Sequence, residues 1–201
     1  MIRGVLFDFD GTLTRPEALD FALLRRATGC PPDQNILEYI GRLPDPAARA
    51  QALATLHGLE LEAAARSHPN EDAEQVIADL RSRGFVLGLI TRNSREAVLT
   101  ALGNFARTRV SDFTVIVSRE SDAPPKPDPG GVLLACRAMD VAPAALMVVG
   151  DYLFDIEAGA RAQAVTTYLT NGRAVPVFRY APTHIVARLG ELLPLLPATA
   201  R

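Results

Sequence analysis

Tryptophan is absent from this 201-residue sequence, cysteine occurs twice, and lysine occurs once, against twenty arginines. Cys30 and Cys136 lie far apart with no CxxC spacing, so we expect free thiols in a reducing compartment. The formal net charge is only −2, which argues against a binding surface for nucleic acid or an anionic membrane. No apolar run approaches the roughly 18 residues of a membrane span, and the first residues do not form a signal peptide. We expect a cytoplasmic protein.

The single lysine, Lys126, is a candidate functional residue. Its ammonium group is a compact point charge, which the planar guanidinium of arginine does not reproduce. Pro125 and Pro127 flank it and predict a stiff, extended loop. The alternative is a surface lysine without a role.

The pattern of apolar runs and helical periodicity predicts an α/β fold. Most of the apolar runs are continuous, which is typical of strands buried on both faces of a sheet. The predicted strands are 4–7, 85–90, 113–117, 146–149 and 164–169, with a further short run at 184–186. Helical patterns cover 71–83, 94–102, 130–139 and 154–162. Strands that alternate with helices indicate right-handed crossovers and a mostly parallel sheet.

The segment 15–68 interrupts this alternation. It is rich in alanine and leucine, and the stretches "TGCPPD" and "LPDP" divide it into predicted helices at 16–28, 33–43 and 46–66. A helical insert directly after the first strand suggests a small cap on an α/β core. We therefore predict a core formed by 1–14 and 69–201 and a cap formed by 15–68.

Polar side chains follow four of the predicted strands. They are Asp8 and Asp10 after the first, Thr91 after the second, Lys126 after the third, and Asp151 and Asp155 after the fourth. Ligands of open α/β sheets bind outside the carboxyl ends of the strands. We therefore expect these side chains to meet in one crevice.

The two carboxylates of Asp8 and Asp10 need a positive partner if they share that crevice. At ~4 Å and an effective dielectric constant near 20, two like charges repel by about 4 kcal/mol. A divalent cation together with Lys126 would offset this repulsion, and several carboxylate oxygens with room for water suit Mg²⁺ better than zinc. The structural alternatives are a solvated turn at Asp8–Thr12 and helix capping by Asp151 and Asp155.

Asn93 and Glu96 have the spacing of a helix N-cap pair. Such a role would still serve a binding site, because a helix N-terminus presents free N–H groups to a phosphate.

Four motifs, read together, give the sequence a family resemblance. They are "DFDGTLT" at 8–14, "LGLIT" ending at Thr91, "KPDP" from Lys126 and "GDYLFD" ending at Asp155. In this order they resemble the haloacid dehalogenase-like hydrolases, specifically the phosphatase branch with a small helical cap and its phosphoglycolate phosphatase-like group. The resemblance covers essentially the whole chain. It implies a three-layer Rossmann-like core with a mostly parallel sheet of order 3-2-1-4-5 and an all-helical cap inserted after strand 1.

The resemblance also implies a reaction, the Mg²⁺-dependent hydrolysis of a small phosphate ester. Asp8 would be the nucleophile that forms an aspartyl-phosphate, and Asp10 the general acid and base. Mg²⁺ would lie among Asp8, the backbone carbonyl of Asp10 and Asp151, with Asp155 as a further ligand or as an anchor behind the ligands. Thr91 and Lys126 would be catalytic through their hold on phosphoryl oxygens. The phosphate-binding residues are predicted to be Gly11, Thr12, Thr91, Arg92, Asn93 and Lys126.

Other members of the superfamily give the alternatives. A 2-haloacid dehalogenase would share Asp8 but would not need Asp10. A phosphonate-cleaving enzyme would need a cap lysine, which 14–70 lacks. A phosphosugar mutase shares the motifs, and a non-catalytic scaffold would be expected to have lost one of them. The substrate, and the choice between monomer and homodimer, stay open, as do the roles of the cap residues Arg25, Arg26, Arg42, His57 and His68.

Overall fold

A computed structural model describes residues 1–197 and contains a six-stranded sheet. The strands are β1 (Gly4–Asp8), β2 (Val86–Ile90), β3 (Val115–Val117), β4 (Leu146–Gly150), β5 (Val165–Leu169) and β6 (His184–Val186). Their order is β3-β2-β1-β4-β5-β6, and all neighbouring strands are parallel. The predicted order is confirmed for its five strands, and β6 extends the sheet beyond β5.

Helices cover both faces of this sheet. The α-helices are α1 (Phe21–Thr28), α2 (Ile36–Arg42), α3 (Pro46–Arg66), α4 (Ala73–Ser82), α5 (Arg95–Leu102), α6 (Gly130–Met139) and α7 (Leu153–Arg161). Val5 and Phe7 of β1 pack in one apolar cluster with side chains of α4 and α5. Leu6 points to the opposite face and packs with side chains of α6 and α7. The alternation along one strand therefore builds two apolar layers, and the predicted three-layer α/β class is confirmed.

Most predicted elements differ from the structure by one to three residues at an end, such as the helix predicted at 33–43, which spans Ile36–Arg42. Two differences have a local cause. The helix predicted at 16–28 is wrong, because a 3₁₀ turn (Pro16–Ala18) precedes a separate helix α1. Asp20 lies between them with an extended backbone, and its side chain accepts a hydrogen bond from the Leu23 N–H, so it caps α1. The third strand begins at Val115 rather than at 113, because Phe113 ends another 3₁₀ turn.

Helices α1, α2 and α3 form the helical segment between β1 and α4. They share a small apolar cluster of their own, formed by Leu24, Ile40, Ala52 and Leu56. The assignment of 15–68 as a separate cap domain stays a prediction.

The two ends of this helical segment lie side by side. Thr14 and Pro69 form an antiparallel bridge, the Arg15 N–H donates to the His68 carbonyl at 3.0 Å, and the chain therefore leaves and re-enters the sheet at one point. Among residues 1–197, no helix combines the length and the apolar character needed to cross a membrane.

Candidate active site

The carboxyl ends of β1, β2 and β4 bring the predicted polar residues to one edge of the sheet. Asp8 is the last residue of β1 and is buried. The ammonium of Lys126 donates to Asp8 Oδ1 at 2.5 Å, to Asp155 Oδ1 at 2.6 Å and to the Ile90 carbonyl at 3.3 Å. Lys126 is itself only 5 % exposed, so its charge is committed to this cluster. The peptide bond between Lys126 and Pro127 is cis.

Three carboxylates converge beside this lysine. Asp8, Asp151 and Asp155 each offer an oxygen atom, and these atoms lie within 4.8 Å of one another. Glycine allows the close approach: a Cβ at Gly150 would overlap the Asp155 carboxyl group, and a Cβ at Gly11 would lie 2.5 Å from Asp151 Oδ2. An all-oxygen set of this kind is the donor chemistry that Mg²⁺ prefers.

The electrostatics of the cluster indicate an excess of negative charge. Burial and the charge of Asp155 raise the pKa of Asp8 well above its usual value, although Lys126 opposes the shift. Burial and Asp155 also raise the pKa of Asp151 to about 6, against the opposing ion pair from Arg173 at 2.7 Å. Burial disfavours the Lys126 ammonium, but Asp155 and Asp8 outweigh it and raise the Lys126 pKa. One ammonium does not neutralise three carboxylates, so the residues present fit a further cation.

Asp10 points away from this cluster, towards the loop after β2. Its carboxylate accepts hydrogen bonds from the Thr91 hydroxyl at 3.1 Å and from the Asn93 amide at 3.3 Å. Burial raises the pKa of Asp10, although both hydrogen bonds oppose the shift. Asp10 is therefore a carboxyl group with increased proton affinity next to the cluster.

The predicted N-cap at Asn93 is wrong by one residue. Ser94 caps α5, because its hydroxyl accepts from the Ala97 N–H at 3.1 Å. The Asn93 side chain instead accepts from the Ser94 N–H and donates to Asp10. The Asn93 side-chain amide therefore lies in the crevice beside Asp10.

A pair of asparagines supports the loop after β1. The Thr12 hydroxyl donates to Asp8 Oδ2 at 3.2 Å. Asn171 donates to the Gly11 carbonyl at 2.7 Å, Asn70 donates to the Thr12 carbonyl at 2.9 Å, and Asn70 also donates to Asn171. The sequence analysis missed both asparagines, which lie 101 positions apart and match no motif.

Arg92, predicted to contact phosphate, is engaged by three other groups. Its Nη2 donates to both carboxylate oxygens of Glu38 at 2.6 and 2.8 Å, and its Nη1 donates to the Lys126 carbonyl at 2.7 Å. Its guanidinium also lies over the Phe154 ring, 5.0 Å from the centroid. Arg92 therefore links α2, the Lys126 loop and α7, and its contact with phosphate stays a prediction.

Three further charged residues near the crevice were missed by the sequence analysis. Glu60 of α3 is buried and forms an ion pair with Arg119. Burial raises the pKa of Glu60, although Arg119 opposes the shift. Arg173, after β5, forms the ion pair with Asp151. These partners come from distant parts of the chain, so no local spacing identifies them.

A cavity of about 480 Å³ lies between the strand ends and helices α1–α3. Its polar floor includes Asp8, Asp10, Gly11, Thr91, Asn93, Lys126, Asp151 and Asp155. Its other wall is mostly apolar and includes Leu19, Phe21, Leu24, Ile36, Leu37 and Leu56, with Arg25, Asn35 and Glu60 as polar members. Arg25 lines the cavity, whereas the other undecided cap residues, Arg26, Arg42, His57 and His68, are not part of its lining. The volume is within the usual range of small-molecule sites.

Several known proteins and solved structures are similar to this chain along most of its length. An uncharacterised hydrolase of Saccharomyces cerevisiae is 30% identical over 85% of this chain and 78% of its own. An N-acetylmuramic acid 6-phosphate phosphatase of Pseudomonas aeruginosa is 29% identical over 87% of this chain and 84% of its own. The solved structure of a HAD phosphatase from Thermococcus onnurineus has a TM-score of 0.70 at 19% identity, covering 98% of this chain and 99% of that one.

The family model of haloacid dehalogenase-like hydrolases matches residues 2–163. This match contains β1, the helical segment, and the residues of the lysine and carboxylate cluster. The resemblance drawn from the four motifs is therefore confirmed, and the chain belongs to the haloacid dehalogenase-like hydrolase family.

Proposed function

We propose that this hydrolase is a Mg²⁺-dependent phosphomonoesterase that acts on a small phosphorylated metabolite through an aspartyl-phosphate on Asp8. The observation that carries the proposal is the arrangement of Asp8 beside a buried ammonium and two further carboxylates, with Asp10 in the same cavity. A phosphate dianion enters such a site only if cations offset the carboxylates.

Asp8 and Asp10 divide the chemistry between them. A carboxylate oxygen of Asp8 attacks phosphorus, and the bond from phosphorus to the ester oxygen breaks. Asp10 gives its proton to the departing alkoxide. Its raised pKa favours this role, because the carboxyl group then holds a proton more readily. In the second step Asp10 takes a proton from water, the water oxygen attacks phosphorus, and the Asp8 carboxylate is released with inorganic phosphate.

The remaining polar residues hold the phosphoryl group. Lys126, already 2.5 Å from Asp8, offers an ammonium proton to a phosphoryl oxygen. Thr91, Asn93 and the backbone of Gly11 line the same floor and offer further donors. Preorganised donors of this type stabilise the charge that develops during transfer.

The metal would be held by Asp8, Asp151 and Asp155, whose carboxylate oxygens already converge, and by the backbone carbonyl of Asp10. Bound Mg²⁺ would supply Lewis-acid stabilisation of charge on the phosphoryl oxygens. The relative from Pseudomonas aeruginosa, a phosphatase by name, supports a phosphate ester as substrate.

Hydrolysis of p-nitrophenyl phosphate tests the proposal. We expect turnover with Mg²⁺, loss of turnover in EDTA, and loss in both Asp8→Asn and Asp10→Asn. The matched control is Asp33→Asn, which makes the same change at an exposed position outside the cavity lining. Activity retained by Asp8→Asn would exclude the aspartyl-phosphate route.

The same preparations discriminate the alternatives. A 2-haloacid dehalogenase would release halide from a 2-haloacid and would tolerate Asp10→Asn. A phosphosugar mutase would isomerise a sugar phosphate without release of inorganic phosphate. A folded, Mg²⁺-binding protein with none of these activities would be a scaffold. The hydrogen bonds from Thr91 and Asn93 to Asp10 favour the phosphatase, because they give that carboxyl group a fixed position beside the nucleophile.

A further inference from the structure

The cations that line the cavity are largely paired with carboxylates of the protein. Arg92 donates two hydrogen bonds to Glu38, at 2.6 and 2.8 Å. Arg173 is paired with Asp151, and Lys126 lies between two carboxylates of the cluster. Charge-assisted pairs of this geometry are strong. An anionic group on the leaving alcohol would have to displace one of them.

Arg25 is the remaining cation of the lining, and the loop between α1 and α2 holds it. Its Nη1 donates to the carbonyls of Pro31, at 2.9 Å, and Gln34, and lies 3.6 Å from the Cys30 sulfur. Within residues 1–197, Arg25 forms no ion pair with a carboxylate. It is therefore the competing candidate for an anion site, and the experiment must test it directly.

The charge balance of the whole cavity is negative. Five acidic and four basic side chains line it, a formal excess of one negative charge. The two charged partners just outside the lining, Glu38 and Arg119, cancel one another. Mg²⁺ and a phosphate dianion also cancel one another, and Asp10 holds a proton when it acts as the general acid, so the loaded site is formally neutral and has no surplus positive charge. A further carboxylate or phosphate on the substrate would add a negative charge for which the cavity has no surplus cation.

The apolar wall offers a different kind of contact. Phe21 is 58 % exposed and Tyr152 is 53 % exposed, and both aromatic side chains line the cavity. Exposed aromatic side chains gain free energy when a ligand covers them. The contact they offer favours an apolar face on the leaving alcohol.

We propose that the cavity selects phosphate monoesters of uncharged alcohols that present an apolar face, and discriminates against alcohols that carry a carboxylate or a second phosphate. The inference rests on the proposed function. The strand ends hold the phosphate, and the neutral alcohol contacts Phe21 of α1 and Tyr152, the residue before α7.

Two esters that differ in one charge test this selectivity. The pair is 4-carbamoylbenzyl phosphate and 4-carboxybenzyl phosphate, which have nearly the same shape and alcohol acidity. With Mg²⁺, we expect kcat/KM to be about tenfold or more higher for the carbamoyl ester. Equal values, or a preference for the carboxy ester, would overturn the proposal. If the wild-type protein prefers the carboxy ester and Arg25→Gln does not, Arg25 is an anion site.

Substitution of Glu38 tests the argument from paired charges. Glu38→Gln leaves the Arg92 guanidinium without its carboxylate partner, so the ratio of the two kcat/KM values should fall towards one. Glu62→Gln removes an exposed glutamate of α3 and should leave the ratio unchanged. Because both esters are measured on the same protein, a general loss of activity cancels from the ratio. An unchanged ratio in Glu38→Gln would overturn the role given to the pair.

Binding separates this inference from the proposed function. The corresponding benzylphosphonates cannot be hydrolysed, and calorimetry should give a Kd about tenfold lower for the carbamoyl compound. Discrimination in binding without hydrolysis of either ester would mean that the proposed function fails and the selectivity holds. Hydrolysis of both esters at equal rates would mean that the proposed function holds and the selectivity fails. Phe21→Ala should weaken benzylphosphonate binding about threefold, whereas Leu23→Ala, on the same helix but outside the lining, should not.

Discussion

Lys126→Met should destabilise the metal-free protein strongly. Methionine has a similar length but no charge, so the substitution leaves Asp8 and Asp155 without the ammonium that lies 2.5 and 2.6 Å from them. Removal of one partner of a buried ion pair costs about 3–5 kcal/mol. For a protein of this size each kcal/mol corresponds to about 2–4 °C. The melting temperature at pH 8 in EDTA should therefore fall by about 6–20 °C.

The loss of stability in Lys126→Met should increase as the pH rises. A carboxyl group whose folded-state pKa is raised binds its proton more tightly in the folded protein, so stability falls as pH rises from the unfolded towards the folded pKa. The pKa of Asp8 is already raised, and loss of the ammonium raises it further. The loss of stability in Lys126→Met should be small at pH 5, where Asp8 can bind a proton, and full at pH 8.

Thermal unfolding followed by circular dichroism at pH 5 and pH 8 gives the comparison. Arg137→Met removes an exposed positive charge from α6 and should shift the melting temperature by only about 1–2 °C at either pH. Addition of Mg²⁺ should restore part of the stability of Lys126→Met, because ligand binding to the folded state stabilises it. The same fall in melting temperature at both pH values, or no fall at all, would refute this account of the cluster.

Three further predictions follow from the same site. Gly11→Ala places a side chain at φ +81°, 2.5 Å from Asp151 Oδ2, so phosphatase kcat should fall about hundredfold; normal turnover would contradict the role of the glycine. Mg²⁺ affinity measured by calorimetry should fall at least about tenfold between pH 7 and pH 5, because Asp151, with a pKa of about 6, must lose its proton to bind the metal, and the raised pKa of Asp8 acts in the same direction. Equal affinities would show that Asp151 is not a ligand. Asn171→Gly keeps the backbone freedom required at φ +50° but removes the hydrogen bonds with Gly11 and Asn70. Urea unfolding should show that the free energy of unfolding falls by about 1–3 kcal/mol. An unchanged midpoint would exclude a supporting role for Asn171.

The sequence predicted those members of the candidate site that depend on local pattern. Asp8 and Asp151 lie at the ends of apolar runs, Lys126 lies in the loop that follows a third run, and a parallel sheet brings the carboxyl ends of its strands to one edge. The approach of Asp155 to Lys126 follows from its place in the first turn of α7. The fold class was predictable for the same reason, since the strands alternate with helices.

Contacts between distant segments were not predictable. The pairs Arg92–Glu38, Arg119–Glu60 and Asn70–Asn171 join segments 54, 59 and 101 positions apart. Each pair forms only because the packing of α2, α3 or a loop after β5 brings it together. The break at Asp20 was missed for a different, local reason: its side chain caps α1 within a stretch of continuous helical periodicity.

The two ends of the helical segment lie next to each other, so the segment can be treated as an exchangeable unit. Because Thr14 and Pro69 form a bridge and the Asn70 N–H donates to the Leu13 carbonyl at 2.8 Å, the two ends of the segment are joined to each other whatever path the chain takes between them. A graft of a different helical segment between these two residues would leave the loop of Asp8 and Asp10 anchored. The substrate wall could thus be exchanged, by engineering or over evolutionary time, without rebuilding the chemistry beneath it.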